Sequence, residues 1–553
     1  MILINCRIDL VKPTAEFKMF GKIYSAANLK EFVRSPSQFL NSKMSEIVTW
    51  LKSAYGEFSF AFRSENGDIT LGRDSLGVAP LYYSFAGDSH LIATSSLQDI
   101  VDLLPSVTLN AEYLKKISAN NFSDLTSTPF NEIRKCPPGH LIRVNNSGIE
   151  VQRYWGRDDL LAHDLLAHDQ SQRQSTLNAA AAEVSDTLNQ IILDHVQSGE
   201  PHGVLLSGGL DSSLIAKTLS DLSKPNPKNL VTASYNYAGN PELDLDAMQS
   251  VVARLHCEHR TFGPSEIDLQ SFNRPVTPQP IYYTPTLWLF KPLLEFFVLK
   301  SARVVATGLG GDDIFQPGPD IISDLSLIKN FDLILKFLKY ERAERNILLT
   351  FTKFYLKPRA LKAAAKFLKT TNICSLLTLE TCQKLTDYAD FSAKTRSLLY
   401  RFVNWGGYCF GFEQEQEFAQ TLNLRFTYPL LDRRLLELAA RLPTQHFVPG
   451  PLSKVLLREV AKTKLPPVVT QRISTQNYTD FTSDVIHRQK SSLLTEESNK
   501  DFKNSRFVDD LLARWYYDHC RSIAEKKLTE RQNLKGMHYE QNTEKSALPE
   551  ALN

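Results

Sequence analysis

The chain has 553 residues, of which 42% are hydrophobic and 22% charged, and its formal net charge at pH 7 is +2. This length exceeds what a single hydrophobic core sustains, so we expect two or three domains. The nearly balanced charge argues against extensive binding of nucleic acid, which requires a clear basic excess. No run of about 18 apolar residues predicts a membrane span, and the seven scattered cysteines, without a Cys-x-x-Cys pair, favour a reduced cytoplasmic protein without a thiolate metal site.

Residues 1–157 predict a strand-rich, antiparallel N-terminal domain. Residues 1–10 carry Arg7 and Asp9 inside a short apolar stretch, which is typical of a first strand and not of a signal peptide. Residues 56–62 alternate aromatic and small side chains, the pattern of a strand with one packed face. Further short strands are expected at residues 69–71, 80–83 and 90–94.

Residues 158–175 contain a tandem repeat, Leu-Leu-Ala-His-Asp, at 160–164 and again at 165–169. A five-residue repeat does not keep the phase of a helix, which completes a turn in 3.6 residues. We therefore interpret residues 158–175 as a solvated linker that tolerates insertion. The alternative, in which the repeated histidines and aspartates are metal ligands, is less favoured.

Residues 176–525 predict a second domain in which strands and helices alternate. The pattern indicates helices at 177–196, 211–222 and 247–255, and strands at 203–206, 230–237 and 303–307. Strands that alternate with helices favour a parallel α/β sheet. Beyond residue 320 the sequence is mainly helical, and it ends in a polar tail at 526–553 that we expect to be frayed.

A glycine-rich segment, Ser-Gly-Gly-Leu-Asp-Ser-Ser at 207–213, lies between a predicted buried strand and a helix. Glycines let the backbone approach a phosphate, and a helix N-terminus offers free N–H groups and a partial positive charge. Asp211 suits an anion only if a divalent cation stands between them, so the segment predicts a phosphate together with Mg²⁺. The segment lacks the Gly-Lys-Ser/Thr ending of a Walker A loop.

This segment resembles the pyrophosphate loop of the N-type ATP pyrophosphatases. A second segment, Thr-Gly-Leu-Gly-Gly-Asp-Asp-Ile-Phe at 307–315, resembles a motif of asparagine-synthetase-like enzymes. The resemblance implies a Rossmann-like synthetase domain, of the adenine nucleotide α-hydrolase type, that uses ATP and Mg²⁺. It also implies that Asp312 holds the metal together with Asp211.

The N-terminal domain resembles glutamine-hydrolysing amidotransferase domains of the Ntn type. The similarity is carried by Arg-Asp-Ser-Leu-Gly-Val-Ala-Pro-Leu-Tyr-Tyr at 73–83, by Pro-Pro-Gly-His at 137–140 and by Tyr-Trp at 154–155. Such domains need a cysteine at the mature N-terminus as nucleophile, whereas Ile2 occupies position 2 and Cys6 lies inside a strand pattern. Residues 20–25 also lack the Asn and Glu of the glutamine-binding segment. The resemblance therefore implies a degenerate domain that serves as structure or docking surface.

Three groups of relatives lack a working glutaminase: β-lactam, carbapenam and lasso peptide macrolactam synthetases. The first two use a tyrosine–glutamate pair, and the corresponding positions here are Leu309 and Arg425. A peptide α-amine has a pKa near 7.7–8.0, so a useful fraction is neutral at cytosolic pH, and it needs less help from a general base than an amide N–H does. Together with the texture of residues 316–319, 417–432 and 435–443, this favours a lasso peptide cyclase. The resemblance implies a precursor peptide as substrate, with a leader peptidase and a leader-recognition protein as partners. Another small-molecule amide ligase and a non-catalytic scaffold remain alternatives.

These relatives usually carry a lysine soon after an arginine near the C-terminal helices, but the segment that begins at Arg472 has none. Either Arg472 or Lys454 is therefore expected to supply the positive charge. Lys454 and Arg458 are four residues apart and would share a helical face, and a solvated surface is the favoured alternative for both. For Glu413, Glu415 and Glu417 a solvated face is likewise favoured over a Mg²⁺ cluster. Only the first and last of these glutamates would share a helical face.

The predicted fold class is α/β, with an Ntn-glutaminase-like domain at 1–157, a linker at 158–175 and a Rossmann-like synthetase domain at 176–525. The predicted catalytic residues are Asp211, Asp312, Lys454 and Arg472. The predicted nucleotide-binding residues are Leu206, Ser207, Gly208, Gly209, Asp211, Ser212, Ser213, Gly310 and Gly311.

Overall fold

The computed structural model describes residues 5–9, 16–23, 43–64, 66–85, 90–170, 176–196, 201–223, 230–236, 241–263, 266, 285–341, 347–370, 379–473 and 521–529. Some sequence-based predictions concern residues outside these ranges. They are the position of Ile2, the end of the linker at 171–175, the segment that follows Ile473, and the tail beyond residue 529.

The N-terminal domain contains two antiparallel sheets. Its strands are β1 (Asn5–Asp9), β2 (Glu16–Ile23), β3 (Gly56–Arg63), β4 (Ile69–Arg73), β5 (Tyr82–Phe85), β6 (His90–Thr94), β7 (Arg134–Lys135), β8 (His140–Asn145) and β9 (Gly148–Arg153). One sheet has the order β1-β6-β5-β7 and the other β2-β3-β4-β8-β9. The helices are α1 (Met44–Lys52), α2 (Leu97–Leu103) and α3 (Ala111–Ser118). The predicted strand-rich architecture is confirmed.

Strand β3 contributes to a hydrophobic core that the N-terminal domain shares with the rest of the chain. Its aromatic side chains Phe58, Phe60 and Phe62 stack in a row, with neighbouring ring centroids 6.2 and 6.1 Å apart. They belong to a hydrophobic core that continues into the second domain. Ala61 points the other way, into the apolar layer between the two N-terminal sheets. Strand β3 is therefore buried on both faces.

The second domain is built on a parallel sheet with the order β12-β11-β10-β13-β14. Its strands are β10 (His202–Leu205), β11 (Leu230–Tyr235), β12 (Glu258–Phe262), β13 (Val304–Ala306) and β14 (Arg425–Thr427). The chain winds from β10 towards β12 on one side and towards β14 on the other. The strand order therefore reverses between β10 and β13, where an α/β sheet opens a crevice at the carboxyl ends of its strands.

Helices surround this sheet and form most of the described part of the chain after residue 310. They are α4 (Arg157–Gln170), α5 (Leu177–Val196), α6 (Leu210–Leu222), α7 (Pro241–Val252), α8 (Pro285–Leu299), α9 (Gly311–Phe315), α10 (Phe331–Glu341), α11 (Ile347–Phe351), α12 (Lys357–Thr370), α13 (Leu379–Asp390), α14 (Ala393–Leu399), α15 (Gly407–Thr421), α16 (Arg433–Arg441), α17 (Val455–Ala461) and α18 (Pro467–Thr470). Short 3₁₀ segments lie at Pro319–Asp324, Pro429–Leu431 and Thr444–Phe447, and π-helical segments at Thr352–Leu356 and Tyr400–Asn404. The parallel α/β sheet with helical additions agrees with the sequence-based prediction.

The interpretation of the duplicated segment as a solvated linker is wrong for residues 158–170, which belong to helix α4. In the first copy, Leu160 is fully buried in the core, and Asp164 accepts hydrogen bonds from the Ser392 amide at 2.8 Å and the Ser392 hydroxyl at 2.6 Å. In the second copy, Leu165 is 58% exposed. A shift of five residues rotates a side chain by about 140° around a helix, so the second copy falls on another face. The five-residue repeat therefore places its two copies on different helical faces without breaking the helix.

The predicted polar tail also begins later than expected. Residues 521–529 are helical, and Ile523 and Ala524 pack against the apolar cluster of the N-terminal domain that contains Leu97 and Ile100. Residues 526–529 therefore belong to the folded chain. Among the helices that the structure describes, none combines the length and apolarity needed to cross a bilayer.

Helix α15 carries three glutamates, and the prediction of a solvated face for them is wrong. Glu413 is fully buried and pairs with Arg73 at 2.9 Å and with Lys135 at 3.0 Å, both from the N-terminal domain. These two cations hold the pKa of Glu413 below its ordinary value, against the effect of burial. Glu417 lies on the same helical face and accepts the Leu97 amide at the start of α2. The expectation that Glu413 and Glu417 share a face is confirmed, but the face is an interdomain contact.

Arg73 is held both by the segment that carries the amidotransferase resemblance and by α15. It donates to the carbonyl oxygens of Gly77 at 2.6 Å and Ala79 at 2.8 Å, in addition to its pair with Glu413. Its neighbour Asp74 accepts backbone amides from residues 76–79 at 2.8–3.1 Å. In this chain the Arg-Asp motif therefore fixes a loop and fastens it to α15.

We predict that Glu413→Gln destabilises the protein by about 3–5 kcal/mol, because it leaves two buried cations without their carboxylate. The free energy of unfolding, measured by urea denaturation, tests this. The matched control is Glu112→Gln, which removes a carboxylate that is 79% exposed in its pair with Lys116 and should change nothing measurable. Equal unfolding midpoints for the two variants would contradict the role of the buried cluster.

A second prediction concerns pH. Burial raises the pKa of Glu417 to about 8, although the Leu97 amide acts in the opposite direction. The unfolded value is about 4.3, so between these two values the folded chain holds a proton that the unfolded chain has lost. This contribution to stability is present below the unfolded pKa and is lost as pH rises through the folded one. Glu417→Gln should therefore lose less stability than wild type between about pH 5 and about pH 8. Parallel stability curves from urea denaturation would show that Glu417 does not titrate in this way.

Candidate active site

The glycine-rich loop follows β10 at the carboxyl edge of the parallel sheet. Gly208 has φ +76°, a left-handed conformation that favours glycine, and an added Cβ would lie 3.1 Å from Met248. Gly209 is the N-cap of α6, so the free amides of this 13-residue helix point towards the loop. Ser207 closes the turn, because its hydroxyl lies 2.9 Å from that of Ser212 and accepts the Gly209 amide at 3.2 Å.

The second glycine-rich loop follows β13 and packs directly onto the first. An added Cβ on Gly308 would lie 2.5 Å from the Ser212 amide nitrogen, and one on Gly311 would lie 2.2 Å from Oδ1 of Asp211. Gly310 has φ +99°, and an added Cβ there would meet Leu431 at 2.3 Å. Gly308 and Gly311 are therefore required for contact between the loops, and Gly310 for the close approach of Leu431. The contact places Asp211 and Asp312 on the same side of the crevice.

Lys454 joins the two loops. Its ammonium lies 2.5 Å from Oδ2 of Asp211 and 2.9 Å from Oδ2 of Asp312, and its side chain is only 4% exposed. Lys454 is the N-cap of α17 and has φ +54°, an uncommon conformation for a residue other than glycine. The interpretation of Lys454 as a solvated surface residue is therefore wrong.

Arg458 braces the backbone around Lys454. It donates to the carbonyl oxygens of Ser453 at 2.6 Å, Thr470 at 2.7 Å and Arg472 at 2.8 Å. Its guanidinium is therefore occupied by carbonyl groups and does not share the position of the Lys454 ammonium. The Arg472 backbone is tied to this brace, and partial burial lowers the pKa of its guanidinium. Arg472 as a catalytic residue stays a prediction.

The two aspartates differ in their surroundings. Burial raises the pKa of Asp211 to about 6, although Lys454 acts in the opposite direction. Oδ1 of Asp211 is buried and has no hydrogen-bond partner within the described part of the chain. Asp312 is 61% exposed, whereas its neighbour Asp313 is held away from the site by Arg401 at 2.8 Å. Of the neighbours Asp312 and Asp313, Asp312 is therefore the one that lies at the site, beside Lys454.

Asp211 and Asp312 suit a divalent cation that is also held by a bound phosphate. Between residues 5 and 529, in the ranges described, no three His, Cys, Asp or Glu side chains cluster in a way that could bind a metal. Mg²⁺, however, is commonly bound by one or two carboxylates together with substrate phosphates. Asp211, with its unpartnered oxygen, and Asp312 fit this type of site.

A cavity of about 280 Å³ opens beside the two loops. It is lined by Leu205, Ser207, Gly209, Asp211, Ser212, Phe290, Thr307, Gly308, Leu309, Glu415 and Phe426. The lining thus comes from the carboxyl ends of neighbouring strands, from α6 and from α15. Such a crevice at the reversal of strand order is the usual ligand position in this type of sheet.

Four of the predicted nucleotide-binding residues line this cavity, namely Ser207, Gly209, Asp211 and Ser212, whereas Gly208, Gly310 and Gly311 lie in the two loops outside its lining. The other two predicted residues are buried. Leu206 is 2% exposed, its amide donates to the Ala233 carbonyl at 2.9 Å, and its carbonyl accepts the Ser234 hydroxyl at 2.5 Å. Its backbone groups are thus engaged within the sheet, and Leu205 lines the cavity instead. Ser213 is fully buried and does not line the cavity. Both remain predictions as ligand contacts.

Sequence reasoning missed one pair at this site. Tyr428, which directly follows β14, donates its hydroxyl to Glu415 on α15. The available signal was the helical phase, because Glu415 falls opposite Glu413 and Glu417. With those two facing the N-terminal domain, Glu415 necessarily turns towards the sheet.

Comparison with known proteins was consistent with two domains. The model of the asparagine synthase family matches residues 183–539, and the model of the glutamine amidotransferase domain matches residues 21–155. Amidase chyE of Penicillium rubens is 27% identical over 220 residues, which are 38% of this chain and 31% of the relative. Asparagine synthetase [glutamine-hydrolyzing] 1 of Bacillus subtilis is 23% identical over 343 residues, 58% of this chain and 50% of the relative.

Asparagine synthetase B of Escherichia coli is 24% identical over 259 residues, 43% of this chain and 40% of the relative. The chain thus spans about a third to a half of the length of these relatives. The match to the family model, in contrast, extends over more than half of the chain and includes both glycine-rich loops. On this evidence the chain belongs to the asparagine synthase family.

Proposed function

We propose that the protein is an ATP-dependent carbon–nitrogen ligase that activates a carboxylate as an acyl-adenylate and releases AMP and pyrophosphate. The observation that carries this proposal is the position of Lys454 between Asp211 and Asp312, at the N-terminus of α6. A lysine, two carboxylates and free helix amides at one point suit the triphosphate of a nucleotide bound with a metal ion.

In the first step, an oxygen of the substrate carboxylate attacks the α-phosphorus of ATP, and the bond to the β-phosphate oxygen breaks. The pyrophosphate that leaves would be bound by the amides at the start of α6 and by the hydroxyls of Ser207 and Ser212. Lys454 would stabilise the negative charge that builds up during transfer. Mg²⁺, held by Asp211 and Asp312, would neutralise phosphate charge when bound.

In the second step, an amine attacks the activated carbonyl carbon and AMP leaves. We propose that this amine is the N-terminus of a peptide and that the acid is an Asp or Glu side chain of the same peptide, as in lasso peptide ring closure. The position at which related β-lactam-forming enzymes carry a tyrosine is Leu309, an apolar part of the cavity lining. Arg425 occupies the position of the glutamate in those enzymes, and it pairs with Glu57 at 3.6 Å. A leader peptidase and a leader-recognition protein are the proposed partners.

The proposal is tested by incubating the protein with ATP, Mg²⁺ and a panel of synthetic peptides that have a free N-terminus and one internal Asp or Glu. We expect one peptide to lose one water, seen by mass spectrometry, with one AMP released per ring. Asp211→Asn should abolish both signals. AMP release without peptide dehydration would instead indicate a small-molecule amide ligase. The absence of ATP turnover with every acid tested would favour the non-catalytic scaffold.

Lys454→Met should lower the rate of AMP release by about 10²–10³-fold, the usual effect of removing one group that stabilises transition-state charge. The matched control is Lys462→Met, which removes a lysine that is 68% exposed after α17 and should leave the rate unchanged. If Lys454→Met keeps the wild-type rate, Lys454 has no part in the chemistry and Arg472 becomes the candidate for this charge.

Gly311→Ala should weaken the binding of Mg²⁺–ATP by about tenfold or more, because the new methyl group meets Oδ1 of Asp211 at 2.2 Å and must displace it. Gly311 is the first residue of α9, so alanine is compatible with its backbone and the effect is steric. Gly411→Ala on α15 is the control, since an added Cβ there meets nothing within 4 Å. Isothermal titration calorimetry compares the two, and equal affinities would argue against the contact between the loops.

A further inference from the structure

The strongest unassigned feature of the cavity is the contact between Glu415 and Tyr428. Glu415 belongs to α15 and lines the cavity together with Asp211, Ser207 and Leu309. Tyr428 is 1% exposed, and its hydroxyl donates to Oε2 of Glu415. The two residues therefore form a pair at the wall of the cavity where the reacting groups would meet.

Packing fixes the orientation of the tyrosine. Its ring lies 4.6 Å from that of Phe412 and 6.4 Å from that of Phe426, centroid to centroid. Its backbone amide donates to Glu57 of the N-terminal domain at 2.8 Å. A hydroxyl held in this way can keep one carboxylate oxygen of Glu415 in place and leave the other oxygen directed elsewhere.

The electrostatic surroundings of Glu415 suit proton transfer. Burial raises its pKa to about 7, and the hydrogen bond from Tyr428 acts in the opposite direction. Glu413 and Glu417 lie on the opposite face of α15, where they contact the N-terminal domain. The charged group from α6 that lines the same cavity is Asp211, which is paired with Lys454. A carboxyl with a pKa near the operating pH is an efficient general base.

We infer that Glu415 is the general base of the amide-forming step and that Tyr428 is its positioning residue. This inference rests on the ligase function proposed above, and it assigns a base to a site in which Leu309 and Arg425 occupy the positions of the base pair found in related enzymes. Glu415 reaches the cavity from α15, and Tyr428 holds it from the end of β14, so the two residues come from positions in the chain other than 309 and 425.

The amide-forming step makes one bond, breaks one bond and transfers one proton. The amine nitrogen forms a bond to the carbonyl carbon of the acyl-adenylate, and the bond from that carbon to the phosphate oxygen breaks, so that AMP leaves with the electron pair. The proton lost by the nitrogen passes to a carboxylate oxygen of Glu415. Tyr428 keeps its own proton and holds Oε2, so the base does not swing away from the nitrogen.

A purely structural role for the pair is the competing explanation, because the hydrogen bond also ties α15 to β14. The two roles differ in which half-reaction they affect. A general base acts on the amine, so its loss leaves carboxylate activation intact, whereas a structural defect in the cavity wall slows both steps.

The test therefore compares three reactions of the full chain, with a synthetic peptide that the wild type accepts. The first is peptide-dependent exchange of pyrophosphate into ATP, which reports activation alone. The second is ring closure, followed by the loss of one water. The third is capture of the activated peptide by hydroxylamine, an amine that is largely uncharged at neutral pH and needs no base. The variants are Glu415→Gln, Glu415→Asp and Tyr428→Phe, with the exposed Glu112→Gln as control.

We expect Glu415→Gln to slow ring closure by about 10²–10⁴-fold while exchange and hydroxylamine capture stay near wild type. Ring closure by the wild type should rise with pH through two ionisations, that of Glu415 with an apparent pKa of about 7 and that of the peptide α-amine at about 7.7–8.0, and only the first should disappear in Glu415→Gln. Tyr428→Phe should slow ring closure less than Glu415→Gln does, again without a change in exchange. If Glu415→Gln does not fold, Glu415→Asp should show the same selective loss, because its carboxylate is withdrawn by one methylene.

Equal losses of exchange and ring closure in the Glu415 variants would overturn the inference and assign the pair a structural role. Ring closure at the wild-type rate in Glu415→Gln would overturn it as well. If the wild type itself shows no exchange with any peptide, the proposed function fails, and the inference fails with it. Wild-type exchange thus distinguishes failure of the function from failure of the base assignment.

Discussion

The buried carboxylate of Glu413 determines how the two domains of this protein act as one. It is fully buried, and it is neutralised by Arg73 and Lys135 from the N-terminal domain. Removing these charges from water is costly, and only close pairing on both carboxylate oxygens offsets that cost. The pairing fixes the rotation of α15 about its own axis. Because Glu413 must face the N-terminal domain, Glu415 must face the sheet, and the cavity wall follows from the interdomain contact.

The same dependence gives the N-terminal domain a structural role at the site that does not require glutaminase chemistry. Glu57 on β3 accepts the amide of Tyr428 and the hydroxyl of Thr427, each at 2.8 Å. The amide of Leu97 reaches Glu417 from α2. The phenylalanines of β3 complete a core that continues into the synthetase domain. The N-terminal domain therefore positions the end of β14 as well as Glu413 and Glu417 on α15, and it is part of the framework of the site.

Local patterns predicted the sheets and the glycine-rich loops well, because both are encoded within short stretches of sequence. Strands β3, β4 and β6 and helices α5 and α6 follow from alternation and helical periodicity. The loop at 207–213 follows from glycine conformation and from the chemistry of a helix N-terminus. What failed was the inference of solvent exposure from polarity. Asp164, Glu413 and Glu417 are buried by partners that are between 228 and 340 residues away in the chain, and no local pattern shows such partners.

At the candidate site, too, contacts between residues far apart in the chain could not be read from local patterns. The pairing of Asp211 with Asp312 was implied by the family resemblance, and the fold gives its physical reason, because each aspartate follows a strand of one parallel sheet and the carboxyl ends of such strands meet. Lys454 lies after neither strand, and only the fold brings its ammonium to both carboxylates. The usual lysine of this family follows an arginine in the segment where Arg472 stands here. A lysine that reaches the same carboxylates from the start of α17, with its backbone strained and braced by Arg458, can supply that charge from a different place in the chain. A missing motif residue is therefore weak evidence against catalysis when the charge it provided can arrive from another element.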